Sequence, residues 1–346
     1  MSIRSFIIGF GAGVCLLGTA CTKTDPVRSA AAGSSSQPLI ANLEDNYSLS
    51  IFYHALKRVG LDKVIDGSGP GTYTLLVPDN DAFGRDSILN DSAIDQLDTA
   101  YLRSWMSYHI LPGTITSASV PQSLSNPYPN LAGQTLYFSR PVPQADQSSA
   151  QVPQTLHING DTVNNLDQMA SNGVIQVMNR PLRLPVPTVQ SYLSSDTVYS
   201  YLVAALQHFG MWDQLTGPGP FTIWAPNNEA FRAQGITSDS LTRIDTSLYQ
   251  SQLIGIYVLT PARVFLTDFS DIQGPSSGGY SGTYLFFPDN GPYFFLLTGQ
   301  SLGVLADFVS PQQQLPAPWT DPDVLAVNGT VQGIGGLLVL PSQAKK

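Results

Sequence analysis

Few residues of this chain are suited to chemistry, and they are scattered. Among 346 residues there are four histidines and two cysteines. His109 could serve catalysis only beside a nucleophile or a metal partner, and no other histidine stands at ligand spacing from it. An imidazole hydrogen-bonded across a core needs no such partner. Asp161, Asp167 and Asp321 are the carboxylates from which a glycosidase-like acid pair could be drawn, but the sequence does not pair them. Gly67-Ser-Gly-Pro-Gly71 lacks the lysine and hydroxyl residue that follow the last glycine of a phosphate-cradling loop, so it reads as a tight turn. Asp79-Asn80-Asp81 begins like a calcium loop, yet Phe83 stands where a third oxygen ligand belongs, and helix capping explains the run better. No zinc-protease, nucleophile-elbow or Walker motif occurs. The expectation is a chain with no catalytic residue, no metal and no cofactor.

The elements that hold these residues occur twice. Gly71-Thr-Tyr-Thr-Leu-Leu-Val-Pro-Asp-Asn-Asp-Ala-Phe83 returns as Gly219-Pro-Phe-Thr-Ile-Trp-Ala-Pro-Asn-Asn-Glu-Ala-Phe231. Each copy begins with β-branched and aromatic residues that suit a buried strand. Pro78 and Pro226 end the strand because proline cannot donate to a ladder. Asp79-Asn80 and Asn227-Asn228 then offer capping oxygens to a helix whose first core residues are Phe83 and Phe231. Upstream, Leu49, Phe52, Leu56 and Val59 recur at helical spacing and stop at Gly60; Tyr201, Ala205, Leu206 and Phe209 do the same before Gly210. Further on, Leu102, Trp105 and Met106 form a helical apolar face leading into Tyr108-His109-Ile-Leu-Pro112. The second copy keeps Tyr257 and places Val258 where a histidine would follow. Asn172-Gly173 and Asn328-Gly329 are hairpin-turn signals, each followed by a buried strand.

These blocks resemble the fasciclin-type domain. The strand–turn–helix signature, the tyrosine–histidine block and the closing Asn-Gly block stand in family order in the first copy; the second is more divergent. The resemblance implies an α+β fold of two domains, each a β-sandwich or wedge-like β core with a layer of helices, at 39–187 and 188–346. It implies a non-enzymatic adhesion or binding module, and a structural role for Tyr108 and His109. The family commonly has a histidine and an aspartate after the Asn-Gly; here Gln176 and Asn179 stand there.

The N-terminus carries its own message. Arg4 precedes an apolar run from Phe6 to Leu17 that closes on Gly18-Thr19-Ala20-Cys21. A basic start, a short apolar core and small residues before a cysteine describe a signal peptide over 1–20 and resemble a bacterial lipobox, with Cys21 as the lipidated residue. Residues 21–38 are rich in Ser, Ala and Gly and read as a flexible tether. With Cys15 inside the leader, no cysteine pair remains for a disulfide. The expected location is extracytoplasmic, lipid-anchored to the outer membrane or surface of a Gram-negative bacterium. A net charge of −9 argues against a nucleic-acid partner, which needs a basic face.

One stretch is peculiar to the second copy. Tyr284-Leu-Phe-Phe287 and Tyr293-Phe-Phe295 flank Pro-Asp-Asn-Gly-Pro and read as a hairpin. Tyr284, Phe286, Phe287, Tyr293, Phe294, Phe295 and, further on, Trp319 would either be buried or form an aromatic platform. Three functions follow: a lipid-anchored adhesion protein binding a protein or matrix partner, an accessory glycan-binding lipoprotein of nutrient uptake, or a hydrolase with a carboxylate cleft.

Overall fold

The computed structural model describes residues 36–141, 154–249, 252–271, 283–286, 293–298, 301–306 and 317–346. Residues 1–35, which include the predicted leader, Cys21 and most of the predicted tether, residues 142–153 and Phe287 lie outside them. For the strands between 283 and 306 only the backbone is described.

The first repeat runs α1 (Leu39–Glu44), α2 (Ser50–Arg58), β1 (Tyr73–Pro78), α3 (Asn80–Arg85), α4 (Asp91–Asp95), α5 (Thr99–Tyr108), β2 (Ile110–Pro112), β3 (Asn126–Pro129), β4 (Thr135–Ser139), β5 (His157–Ile158), β6 (Asp161–Ala170) and β7 (Gly173–Met178). Its sheet has the order β2-β1-β7-β6-β5-β4-β3. The second repeat contains α6 (Val189–Ser195), α7 (Ser200–His208), β8 (Phe221–Pro226), α8 (Asn228–Arg232), β9 (Val258–Leu259), β10 (Thr283–Phe286), β11 (Tyr293–Thr298), β12 (Ser301–Ala306), β13 (Ala317–Ala326) and β14 (Gly329–Ile334). Its sheet, β9-β8-β14-β13-β12-β11-β10, repeats the first strand for strand.

Both sheets are antiparallel except at one central pair. Strand β1 runs parallel to β7 with Tyr73 opposite Gly173, and β8 runs parallel to β14 with Phe221 opposite Gly329. Alternation along the central strands creates two cores in the first repeat, because successive side chains leave opposite faces of a strand. Leu75, Val77, Ile175 and Val177 meet Phe52, Leu56, Leu102 and Met106 of the helices. Leu76 and Met178 point the other way, to Leu136, Phe138 and Ile158 of β4 and β5. The sheet can cover its own back because β6 is long and bulged, with register breaks between Val163 and Asn165 and again before Gln168. Helices, central strands and folded-over strands therefore form three layers, an α+β arrangement of the kind the family resemblance implies.

The predicted capped helices are present in both copies. Asp79 accepts the Ala82 N–H at 2.7 Å, and Asn227 accepts the Ala230 N–H at 2.9 Å. The next asparagine reaches sideways instead. Asn80 accepts from the Ile51 N–H and donates to the Tyr47 carbonyl; Asn228 accepts from the Tyr201 N–H and donates to the Thr197 carbonyl. Each thus ties the signature turn to the start of the long helix, α2 or α7.

The closing hairpins sit one residue earlier than the sequence suggests. Ala170 pairs with Gly173, so the turn is Ser171-Asn172 and the glycine is already in the strand. Close approach requires a glycine there: a Cβ on Gly173 would lie 1.9 Å from the Tyr73 carbonyl oxygen, and one on Gly329 would lie 2.4 Å from that of Phe221. The freed asparagine becomes a buried staple. Asn172 accepts from the Leu39 N–H and donates to the Ile65 carbonyl. Asn328 accepts from the Val189 N–H and donates to Leu215 and Gly217.

Candidate functional site

His109 lies wholly within the protein. Its Nδ1 faces the Trp105 carbonyl at 2.8 Å and its Nε2 accepts the Leu182 N–H at 2.9 Å. Those two bonds set the tautomer, with the proton on Nδ1. Burial lowers its pKa to about 4, only partly opposed by the Trp105 carbonyl, so the ring is neutral and both nitrogens are occupied. Tyr108 is equally buried, its hydroxyl accepting from Asn159, and burial raises its pKa. Neither residue lines the cleft between the repeats described below.

The second repeat shows that the sequence alignment at this block is off by one. In the first repeat the His109 carbonyl accepts from the Leu76 N–H; in the second, the Tyr257 carbonyl accepts from the Trp224 N–H. Sheet registers place Ile110 opposite Leu75 and Val258 opposite Ile223. Tyr257 therefore occupies the place of His109, not of Tyr108. Its hydroxyl accepts the Leu338 N–H at 2.9 Å, the counterpart of the Leu182 N–H held by His109. Burial pushes its pKa up to about 12.

The carboxylates divide into two groups. Asp167, at positive φ in the β6 bulge, accepts from the Ser117 N–H and hydroxyl and from the Gln176 side chain. Asp323, its counterpart in β13, accepts from the Leu266 N–H and the Gln332 side chain. In both, the glutamine side chain also accepts the aspartate's own N–H, closing the bulge. Gln176 thus has a structural bond set that needs no ionisable group.

Asp161, Asp321 and Asp323 come together where the repeats meet, which the sequence could not show. A cleft of roughly 300 Å³ opens there, walled by Asp86, Asn159, Asp161, Arg180 and Arg183 of the first repeat and by Asp321, Asp323 and Leu325 of the second. Burial raises the Asp161 carboxyl to about 6, with Asp323 adding to the rise and Arg180 and Arg183 opposing it. Asp323 is also raised to about 6, again by burial first, against the Gln332 and Leu266 hydrogen bonds. Arg183 approaches Asp321 at 3.9 Å, but two-thirds of its side chain is exposed, so the pair is well screened.

The walls are held by a built seam. The Val186 N–H donates to the Leu325 carbonyl at 2.9 Å and the Val327 N–H returns to the Val186 carbonyl at 3.0 Å. Arg263 is buried and lies 4.1 Å over the Tyr137 ring of the first repeat, a cation–π contact in a dry setting. Its guanidinium also donates to the carbonyls of Ala326, Val327 and Gly329. The Ser125 hydroxyl donates to the Arg263 carbonyl. No metal-holding group of three ligating residues occurs among the described residues.

The aromatic platform fares differently. Strands β10 and β11 do pair as an antiparallel hairpin, Phe286 opposite Phe294, while the side-chain positions of Tyr284, Phe286, Tyr293, Phe294 and Phe295 lie outside what is described. Trp319 is partly buried and its ring lies 6.2 Å from that of Trp224 in the core of the second repeat.

Comparison with known proteins gives matches of three kinds. A fasciclin domain model matches the chain twice, over 47–185 and 197–341. The chain is similar to transforming growth factor-beta-induced protein ig-h3 of Sus scrofa, 40% identical over 67 residues, which are 19% of this chain and 10% of that protein. It is similar to human stabilin-1, 26% identical over 207 residues, 58% of this chain and 7% of stabilin-1. A Synechocystis protein named sll1483 is 29% identical over 171 residues, 48% of this chain and 83% of that one. The chain therefore spans a tenth or less of ig-h3 and stabilin-1. Among solved structures, the FAS1 domain pair from the insect cell adhesion molecule fasciclin I aligns with 87% of this chain and 99% of its own, at 18% identity and a TM-score of 0.37. With the family model matched in both repeats, this chain belongs to the fasciclin domain family.

Proposed function

We propose that this chain is a non-enzymatic adhesion or binding protein, displayed outside the cytoplasm and tethered to the outer membrane through lipid on Cys21. Two fasciclin repeats, bounded near Pro185-Val-Pro187, would act as the binding body and residues 21–38 as the leash. The observation that carries the reading is the engagement of the family's polar motif residues. His109, Asn172, Gln176, Tyr257 and Asn328 are all buried and bonded to the fold, most of them to backbone, leaving recognition to the surface. No helix among the described residues is long and apolar enough to cross a membrane. Family membership supports a protein or matrix partner, and no nucleic acid is expected at this net charge.

The test is expression in a Gram-negative host with intact mass, membrane fractionation and a cell-attachment assay, comparing wild type with Cys21→Ala. Wild type should carry a diacylglyceryl mass, sediment with membranes and make the cells clump or adhere. The variant should do none of these. Release of both chains unlipidated would remove the anchor. Lipidated cells that attach no better than controls would remove the adhesion reading. Liberation of reducing sugar from a glycan panel, lost in Asp161→Asn, would replace it with the hydrolase reading.

A further inference from the structure

The seam between the repeats brings two carboxyls together with little to neutralise them. Asp323 enters from β13 and presses on Gly160, where an added Cβ would lie 2.9 Å from its carboxyl carbon and from Oδ2. Asp161 is the next residue of the chain and opens β6. Asp323 Oδ1 is held by the Leu266 N–H and the Gln332 amide, which leaves Oδ2 as the oxygen turned toward the first repeat. The Asp161 side chain makes no hydrogen bond among the described residues. The charged groups around Asp161 are Asp323, Arg180, Arg183 and Asp86; those around Asp323 are Arg183 and Asp321. Both arginines are exposed and so act through solvent, whereas Asp161 and Asp323 are partly buried and line the same cleft at the seam.

We propose that Asp161 and Asp323 form a proton-operated latch between the two fasciclin repeats, closed while at least one carboxyl is protonated and loosened when both are ionised. Like charges crowded together favour a state in which one keeps its proton. If both ionise, the seam can lower the repulsion only by admitting water or by moving apart. Burial raises both groups into the mildly acidic range, and the Asp323 charge raises Asp161 further, which sets where the latch works. The sign is fixed: a carboxyl whose folded pKa is raised stabilises the closed seam below its unfolded value near 3.8, and that stabilisation is lost as pH rises through about 6. The bonds that would feel this are the reciprocal pair between Val186 and the segment Leu325–Val327, beside the cleft. Loosening them would change how the two repeats are presented to a partner.

Hydrogen exchange on the full chain, read at residue level at about pH 5 and about pH 7.5 and expressed as protection factors, tests this. In wild type the Val186 and Val327 amides should lose about tenfold or more protection at the higher pH. The Leu76 and Trp224 amides, inside the two sheets, should not share that seam-specific loss. Asp323→Asn and Asp161→Asn should each flatten the response. Equal protection of Val186 and Val327 at both pH values in wild type overturns the latch, as does an unchanged response in Asp161→Asn. Should Asp323→Asn also deprotect Leu76 or Trp224, it has damaged the bulge, and Asp161→Asn alone decides.

Discussion

The two repeats solve one problem with different chemistry. After the last central strand, the chain passes over the helical junction and needs an acceptor for one buried N–H, that of Leu182 in the first repeat and of Leu338 in the second. An imidazole nitrogen does this in one copy and a phenol oxygen in the other, from the same place in the sheet register. What the site requires is a buried acceptor at a fixed height, since an orphaned N–H in a core costs about 1–3 kcal/mol. The imidazole's ability to titrate is incidental to that role. It nonetheless leaves the first repeat with an acid sensitivity that the second lacks.

The comparison is broken most severely at the feature the repeats share most closely. Gly173→Ala and Gly329→Ala each drive a Cβ into the carbonyl of the neighbouring parallel strand, at 1.9 Å and 2.4 Å. Backbone oxygen cannot step aside as a side chain can, so each should cost about 4 kcal/mol or prevent the repeat from folding. Urea unfolding followed by far-UV circular dichroism would show it, and the tighter first repeat should suffer more. Equal tolerance of alanine at both positions would mean that the parallel pair can separate.

Acid should distinguish the repeats next. His109 has a folded pKa of about 4 against an unfolded value near 6.5. A base with a lowered pKa contributes its full stability above the unfolded value, and loses it as pH falls from about 6.5 through about 4. At 1.36 kcal/mol per unit the loss approaches about 3 kcal/mol. Tyr257 carries no such change in that range. The matched amides of Leu76 and Trp224, which donate to the His109 and Tyr257 carbonyls, give a local reading. Protection at Leu76 should fall with acid and that at Trp224 should hold. The seam carboxyls work in the opposite direction over the same range, so a single global melting curve would blur the contrast. His109→Gln should remove the acid response while keeping an acceptor.

The asparagine staples sharpen the comparison further. Asn172→Ala leaves one buried N–H and one buried carbonyl unpaired; Asn328→Ala leaves one N–H and two carbonyls. Each should cost about 2–3 kcal/mol, the second more than the first, by chemical denaturation. A larger loss at Asn172 would show that solvent reaches the Leu215–Gly217 turn more easily than the packing suggests.

Much of this fold could be read from the residues because its devices are local. The strand ending at Pro78, the Asp79 cap and the apolar face at Leu102, Trp105 and Met106 each need only a few neighbouring positions, and each formed as expected. The fasciclin blocks likewise pointed to the right family. Features defined by partners far along the chain were not visible. Reading Tyr257 as the counterpart of Tyr108 matched residue types, but the register is set by pairing with Ile223, which the local sequence does not display. The seam was harder still. Asp161 and Asp323 are brought to one cleft by the turn between β5 and β6 in the first repeat, the bulge of β13 in the second and the path of Val186, and nothing near either residue announces the other. One signal was available: Asp167 and Asp323 both stand five residues before an Asn-Gly, marking paired bulges.

The smallest expected effect lies at the caps, where the repeats differ by a single charge. Asp79 and Asn227 accept equivalent N–H groups three residues on, and either alanine variant should lose about 1 kcal/mol. The carboxylate also interacts with the positive end of the helix dipole, which adds about 0.3–1 kcal/mol at low salt. Asp79→Asn should therefore weaken the first repeat slightly at neutral pH, and Asn227→Asp should strengthen the second by a similar amount. Both differences should shrink in high salt, which screens an exposed charge but leaves the hydrogen bond intact. If Asp79→Asn proves as costly as Asp79→Ala, the cap works through charge alone and the asparagine of the second repeat is a weaker substitute rather than an equivalent.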